Sequence, residues 1–121
     1  LPTIGRIYGT RDDEIAILDY EDYLWAIQWC WHVNVPHLTR KGKKLYFVRQ
    51  QSNGRRHAPK LYLHVEIMKR TGIEPPGPEY TLTDHLDGNE WNCRKVNLQW
   101  ATTSMNRISA KPRNLLPKPA R

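Results

Sequence analysis

Cysteine is scarce: Cys30 and Cys93 are the only two among 121 residues. They stand far apart and neither belongs to a CxxC pair, so neither a disulfide framework nor a zinc knuckle is read from them. A reduced, cytoplasmic setting is the simpler expectation. No stretch approaches the roughly 18 consecutive apolar residues that a membrane helix needs, so no membrane partner is expected. Phe occurs once against five Trp and six Tyr, a bias toward side chains that bury an apolar body and keep a polar tip. That suits a small half-polar core or stacking on bases. Acids are missing altogether after Glu90, which excludes a balanced, merely solubilising surface for the last quarter of the chain.

What charge there is, is segregated. The net charge is +7, and Arg94, Lys95, Arg107, Lys111, Arg113, Lys118 and Arg121 follow the last acid. Six acids lie between Asp12 and Asp22, whereas Arg40, Lys41, Lys43, Lys44, Arg49, Arg55, Arg56 and Lys60 form a block with no acid among them. Either basic block alone reads as a solvated face. Two blocks with aromatics between them fit a surface that follows a phosphate backbone.

The length suits one domain, or two small lobes sharing a core. Glu14-Ile-Ala-Ile-Leu18 reads as a strand, with Asp19 as N-cap and Asp22 in the first turn of a helix to about Gln28. Trp31 to Val35 and Leu45 to Arg49 read as strands around a turn at Arg40 to Lys44. Ser52-Asn-Gly54 marks a second turn before the strand Lys60-Leu-Tyr-Leu63. His64 to Arg70 reads as a helix closed by Gly72 in the left-handed conformation. Glu74-Pro-Pro-Gly-Pro78 is a stiff connector and the expected lobe boundary. Beyond it, a strand over Tyr80 to Thr83, a loop over Leu86 to Lys95, a strand over Val96 to Trp100 and a helix from Thr103 to about Ala110 are predicted. Residues 1–73 are thus the N-terminal lobe, 79–112 a compact module and 113–121 a basic tail.

Chemistry concentrates in the module. Asp84 and His85 place a carboxylate beside an imidazole. On a strand they point to opposite faces, so they serve one site only if the strand ends there; Leu86-Asp-Gly88 supplies the turn chemistry for that. Alone, an Asp-His pair before Asp-Gly is just a turn. Here it is followed, in order and spacing, by Asn92-Cys-Arg94, Asn97-Leu-Gln-Trp100 and Ser104-Met-Asn106. Together these resemble the pattern of the HNH (ββα-metal) endonucleases encoded by phages and self-splicing introns. Ile17-Leu-Asp19, Trp31 and Tyr62-Leu-His-Val-Glu-Ile67 resemble the N-terminal part of the same group.

The resemblance implies an α+β fold, with a mixed β-hairpin/helix lobe followed by a C-terminal ββα-metal module. It implies metal-dependent hydrolysis of DNA, leaving 5′-phosphate and 3′-hydroxyl ends. Phosphodiester hydrolysis needs an activated water, relief of charge on the phosphate and a stabilised leaving oxygen. Imidazole is the side chain whose ordinary titration lies near neutrality, so His85 is the expected general base. Asp84 and Asn106 supply oxygen donors suited to one Mg²⁺ or Mn²⁺. Asn97 is expected to brace the His85 segment through its amide. Arg94 and Arg107 are candidate phosphate contacts, and the Arg40 to Lys60 block a candidate grip on duplex DNA.

Departures from the family pattern are Asp84 and Asn106, where many members carry His, and Cys93, where Asn is common. Members with flanking zinc knuckles have four cysteines, so no structural zinc is expected. A single module acts on one strand, so a monomer is expected to nick; a homodimer could cut both strands. The rival reading is a non-catalytic nucleic-acid-binding module that keeps the fold. His64, at a helix start, is expected to cap or pack, and Trp25, Trp29 and Trp31 to be core. A phage-encoded protein acting in a bacterial host is the expected setting.

Overall fold

The computed structural model describes residues 2–34, 45–51 and 59–109, with the backbone alone for 107–109. The chain opens with a β-hairpin, β1 (Ile4–Tyr8) and β2 (Ile15–Asp19), followed directly by helix α1 (Tyr20–Ala26). The hairpin is antiparallel, pairing Ile4 with Asp19 and Tyr8 with Ile15. Its connection is closed by the Gly9 amide donating to the Glu14 carbonyl at 2.7 Å and the Arg11 amide to Glu14 Oε1 at 3.1 Å. Alternation in β2 buries Ala16 and Leu18 completely, as a half-buried strand requires. Gly5 allows α1 to lie close: a Cβ there would stand 2.1 Å from Cγ of Tyr23.

A three-stranded antiparallel sheet follows, formed by β3 (His32–Val33), β4 (Phe47–Gln50) and β5 (Lys60–Tyr62) in that order. The predicted turns at Arg40 to Lys44 and Ser52 to Gly54 lie outside the described residues, as does the basic tail. Helix α2 (Leu63–Arg70) starts at once after β5. It ends as predicted on Gly72, whose φ of 75° is a left-handed conformation that glycine adopts without steric cost. The Thr71 hydroxyl also donates to the Met68 carbonyl at 2.6 Å, satisfying one of the last carbonyls of the helix.

After the proline-rich connector come β6 (Leu82–His85), a loop ending in the 3₁₀ turn Lys95–Asn97, β7 (Leu98–Ala101) and helix α3 (Thr103–Ser109). The strands pair antiparallel, Asp84 opposite Gln99 and His85 opposite Leu98. Helix α3 is capped by Thr102, whose Oγ1 accepts from the Met105 amide at 3.2 Å. The fold is thus a small mixed α+β protein with strands and three helices among the described residues. No helix among those residues is long and apolar enough to cross a membrane.

One buried cluster unites the residues on both sides of the connector: Leu18 from β2, Phe47 from β4, Leu63 and Ile67 from α2, Cys93 from the loop and Leu98 from β7. Two backbone bonds stitch the loop to the first hairpin, from the Ile17 amide to the Trp91 carbonyl and from the Cys93 amide to the Ile17 carbonyl, both 2.8 Å.

Two local expectations change, for Asp19 and for the tryptophans, and Asp22 and Trp100 make contacts of their own. Asp19 precedes α1 with extended dihedrals, but its side chain makes no cap bond. Its carboxylate instead accepts from Arg94 Nε at 3.0 Å and from the Lys95 amide at 2.9 Å, since a guanidinium strengthens the bond in a way a neutral helix amide does not. Asp22 is in the first turn of α1 but fully buried, where Arg70 Nε donates to it at 3.1 Å and Lys95 Nζ stands 3.7 Å away. Trp100 reaches back to the connector, its Nε1 donating to the Ile73 carbonyl at 2.7 Å. Of the three tryptophans expected in the core, Trp31 is buried, whereas Trp25 and Trp29 are half-buried against it.

Candidate functional site

The second strand of the module is short because its partner ends at His85 and the chain reverses at once. The Gly88 amide donates to the His85 carbonyl at 2.9 Å, and Gly88 takes φ 73°. Both Asp84 and His85 therefore belong to the last two positions of β6, and both are buried, 5% and 4% exposed. Burial of two adjacent polar residues on a strand means that both faces of the strand end are covered.

Aromatic rings provide that cover on the His85 side. The His85 ring lies 4.8 Å from the His64 ring at 37° and 6.1 Å from the Tyr46 ring at 14°. Tyr46 and His64 stack at 4.8 Å. Cys93 Sγ approaches His85 Nε2 at 3.9 Å. Burial pushes the Cys93 thiol up to about 12, so it faces the imidazole as a neutral group. Burial also raises the Tyr46 phenol, with further contributions from the negative charges of Glu90 and Asp84 and from Tyr62. Tyr46 thus packs beside His85 and lies within electrostatic reach of Glu90 and Asp84.

The loop between β6 and β7 is braced by amides and carboxylates. Asn97, 6% exposed, accepts from the Asp87 amide at 3.0 Å and donates through Nδ2 to Asp87 Oδ1 at 2.9 Å and the Asn92 carbonyl at 2.8 Å. Asp87 also accepts from the Asn89 amide at 2.8 Å and Asn92 Nδ2 at 3.0 Å. Asn97, at the end of the 3₁₀ turn, is held as the sequence suggested, its amide spanning the loop. Its carbonyl also accepts from the Leu86 amide at 2.7 Å, immediately after His85.

Asn106 lies in α3, whose axis packs on β6. It lines a cavity with Thr83, the residue before Asp84, and with Tyr46. Asn106 thus shares its cavity with Thr81, Leu82 and Thr83, the segment leading into Asp84. Among the described residues no group of three or more His, Cys, Asp or Glu side chains is arranged to hold a metal ion. Asp84 is buried and its charge helps to raise the Tyr46 phenol, whereas Asn106 lines the cavity that Tyr46 also borders.

The basic residues divide. Arg40, Lys41, Lys43, Lys44, Arg55 and Arg56 lie outside the described residues, and so does the side chain of Arg107, whose backbone is in α3. Arg49 lays its guanidinium over Trp29, 4.1 Å from the ring centre. Lys60 donates to Asn34 Oδ1 at 2.9 Å. Arg94 is turned to Asp19, so its ion pair braces the loop.

Residues that sequence reasoning left without a role in the site are Asp19, Tyr46 and Asp87. Asp87 was visible as part of an Asp-Gly-Asn turn. Nothing local marks Tyr46, because its approach to His85 depends on β4 packing beside α2. His64 was expected to cap or pack, with a supporting place near the site the less favoured alternative; its ring lies against that of His85. Comparison with protein family models, characterised proteins and solved structures returned no match for this chain.

Proposed function

We propose that this protein is a metal-dependent DNA endonuclease of the HNH type, hydrolysing a phosphodiester bond to leave 5′-phosphate and 3′-hydroxyl ends and nicking one strand as a monomer. The observation that supports this reading is a strand ending in Asp84-His85, an antiparallel return strand whose loop Asn97 braces, and a closing helix that packs on that strand. The order of these elements agrees with the sequence motif.

In this reading His85 takes the proton from the attacking water, held in orientation by its ring neighbours His64 and Tyr46. Asp84 and Asn106 would hold one Mg²⁺ or Mn²⁺, which when bound neutralises phosphate charge and stabilises the leaving oxygen. Asn97 and Asp87 keep the strand end and the turn after it in one geometry. Arg107 and the Arg40 to Lys60 block supply phosphate contacts on duplex DNA.

One observation favours the second reading, a nucleic-acid-binding module without catalysis: His85 is only 4% exposed, so water and substrate must gain access to it. Incubation with supercoiled plasmid and Mg²⁺ or Mn²⁺, with EDTA and His85→Ala controls, separates the two. Metal-dependent nicking that is lost in His85→Ala is the expected result. Uncut plasmid with every metal, alongside salt-sensitive DNA binding, would establish the non-catalytic module instead.

A further inference from the structure

A cavity of about 280 Å³ lies against Thr81, Leu82 and Thr83, just before Asp84, and Tyr46 and His64 in its wall also pack on the His85 ring. Its wall includes Tyr46, Tyr62, His64, Val65, Thr83 and Asn106. The volume is at the small end of the roughly 300–1,000 Å³ typical of ligand pockets, which favours one ring system over an extended ligand. Three of these six side chains are flat rings. The Tyr62 ring meets Tyr46 at 58° and His64 at 80°, so neither neighbour lies flat against its face. Thr83 is 8% exposed, and its hydroxyl has no hydrogen-bond partner among the described residues. A buried hydroxyl without a partner carries a desolvation cost that a ligand able to donate or accept can relieve.

We infer that this cavity receives one nucleobase of the DNA strand, taken out of its stack and laid against Tyr62, with the Thr83 hydroxyl available to its polar edge. The inference rests on the endonuclease reading for its substrate class. A base is planar, has a π-face that any aromatic platform accepts, and carries hydrogen-bonding atoms around its rim. A phosphate would use the hydroxyl and leave the ring faces without a partner. Placing a base here fixes the adjacent backbone beside Asp84 and His85, so the cavity would set which phosphate meets the base. It also makes unstacked or single-stranded DNA the better substrate, since removal of a base from a paired stack costs free energy.

The test uses the full chain and a short single-stranded oligonucleotide, compared with a fully abasic counterpart of equal length and charge. Binding is measured by fluorescence anisotropy at low salt in EDTA, and plasmid nicking with Mg²⁺ or Mn²⁺ is assayed in parallel. The base-containing strand should bind at least about tenfold more tightly than the abasic one, as loss of stacking on an aromatic platform implies. Tyr62→Leu, which removes the ring, and Val65→Phe, which fills the cavity, should both close that gap, with circular dichroism confirming the fold of each. Equal binding of the two strands by the native chain overturns the inference, as does a gap that survives in both folded variants. Nicking without base dependence leaves the endonuclease and removes the base pocket. Base-dependent binding without nicking keeps the pocket and removes the endonuclease.

Discussion

Replacing Asn97 with Ala deletes three hydrogen bonds at once. The Asp87 amide loses its acceptor, and Asp87 Oδ1 and the Asn92 carbonyl lose a donor. At a net value of about 1 kcal/mol per neutral bond, and somewhat more for the one to a carboxylate, the loss is about 3–5 kcal/mol. A domain of this size has about 6–18 kcal/mol of stability in total, so the chain should still fold. With about 3–4 °C per kcal/mol, the midpoint should fall by about 10–20 °C. Asn97→Asp is the instructive companion. It keeps the acceptor for the Asp87 amide, loses both donated bonds, and sets a second carboxylate against Asp87. Its melting temperature should lie below that of Asn97→Ala at pH 7 and recover as the pH is lowered and one carboxyl takes a proton. Thermal melts followed by circular dichroism at pH 5 and 7 measure both effects, and plasmid nicking below each midpoint measures the consequence for the site. An Asn97→Ala midpoint within 2–3 °C of the native one would refute the bracing role. Abolished nicking with an unshifted midpoint would instead make Asn97 a participant in the reaction.

Gly5→Ala should lower stability by about 1–3 kcal/mol, because the added Cβ meets the root of the Tyr23 side chain, not its mobile end; an unchanged urea midpoint would contradict the close packing of α1 on β1. Arg70→Ala removes the donor to buried Asp22 and the guanidinium over Trp25, 4.5 Å from its ring centre. With Lys95 still 3.7 Å away from that carboxylate, the cost should be about 1–3 kcal/mol, below that of a fully orphaned buried charge. Equilibrium unfolding reads it, and a double-mutant cycle with Asp22→Asn should recover most of the loss. Exposed Cys30 should react with a thiol reagent at pH 8 while buried Cys93 stays silent until the chain unfolds. Since burial lifts the Cys93 thiol from 9.0 to about 12, its contribution to stability is complete below pH 9 and is lost as the pH rises toward 12, where the unfolded chain is already deprotonated. Two fast-reacting thiols in the native protein would refute the burial of Cys93.

Much of the chain was legible because its signals are local. The Gly72 and Gly88 turns follow from glycine's tolerance of positive φ. From β2 onward the order of strands and helices follows from alternation, caps and prolines, whereas β1 was not predicted, and β6 starts and ends two residues later than expected, so that Asp84 and His85 are inside the strand. The amide of Asn97 could be assigned to the loop from its position alone.

What only the tertiary structure decided are contacts between residues distant in sequence. Asp19 looked like a helix cap because Asp before a helix commonly is one, yet it bonds to Arg94 and Lys95, 75 and 76 positions on. Asp22 was expected in the first turn of a helix; that it is also a buried link to Arg70, 48 positions away, is not visible locally. His64 and Tyr46 come to His85 only because β4 and α2 pack beside β6. Local propensity depends on the few residues around a position, whereas these pairings depend on which faces the core brings together. The sequence places Asp84, His85 and Asn97 in neighbouring segments; the packing of the residues before the connector supplies the rings and ion pairs around them.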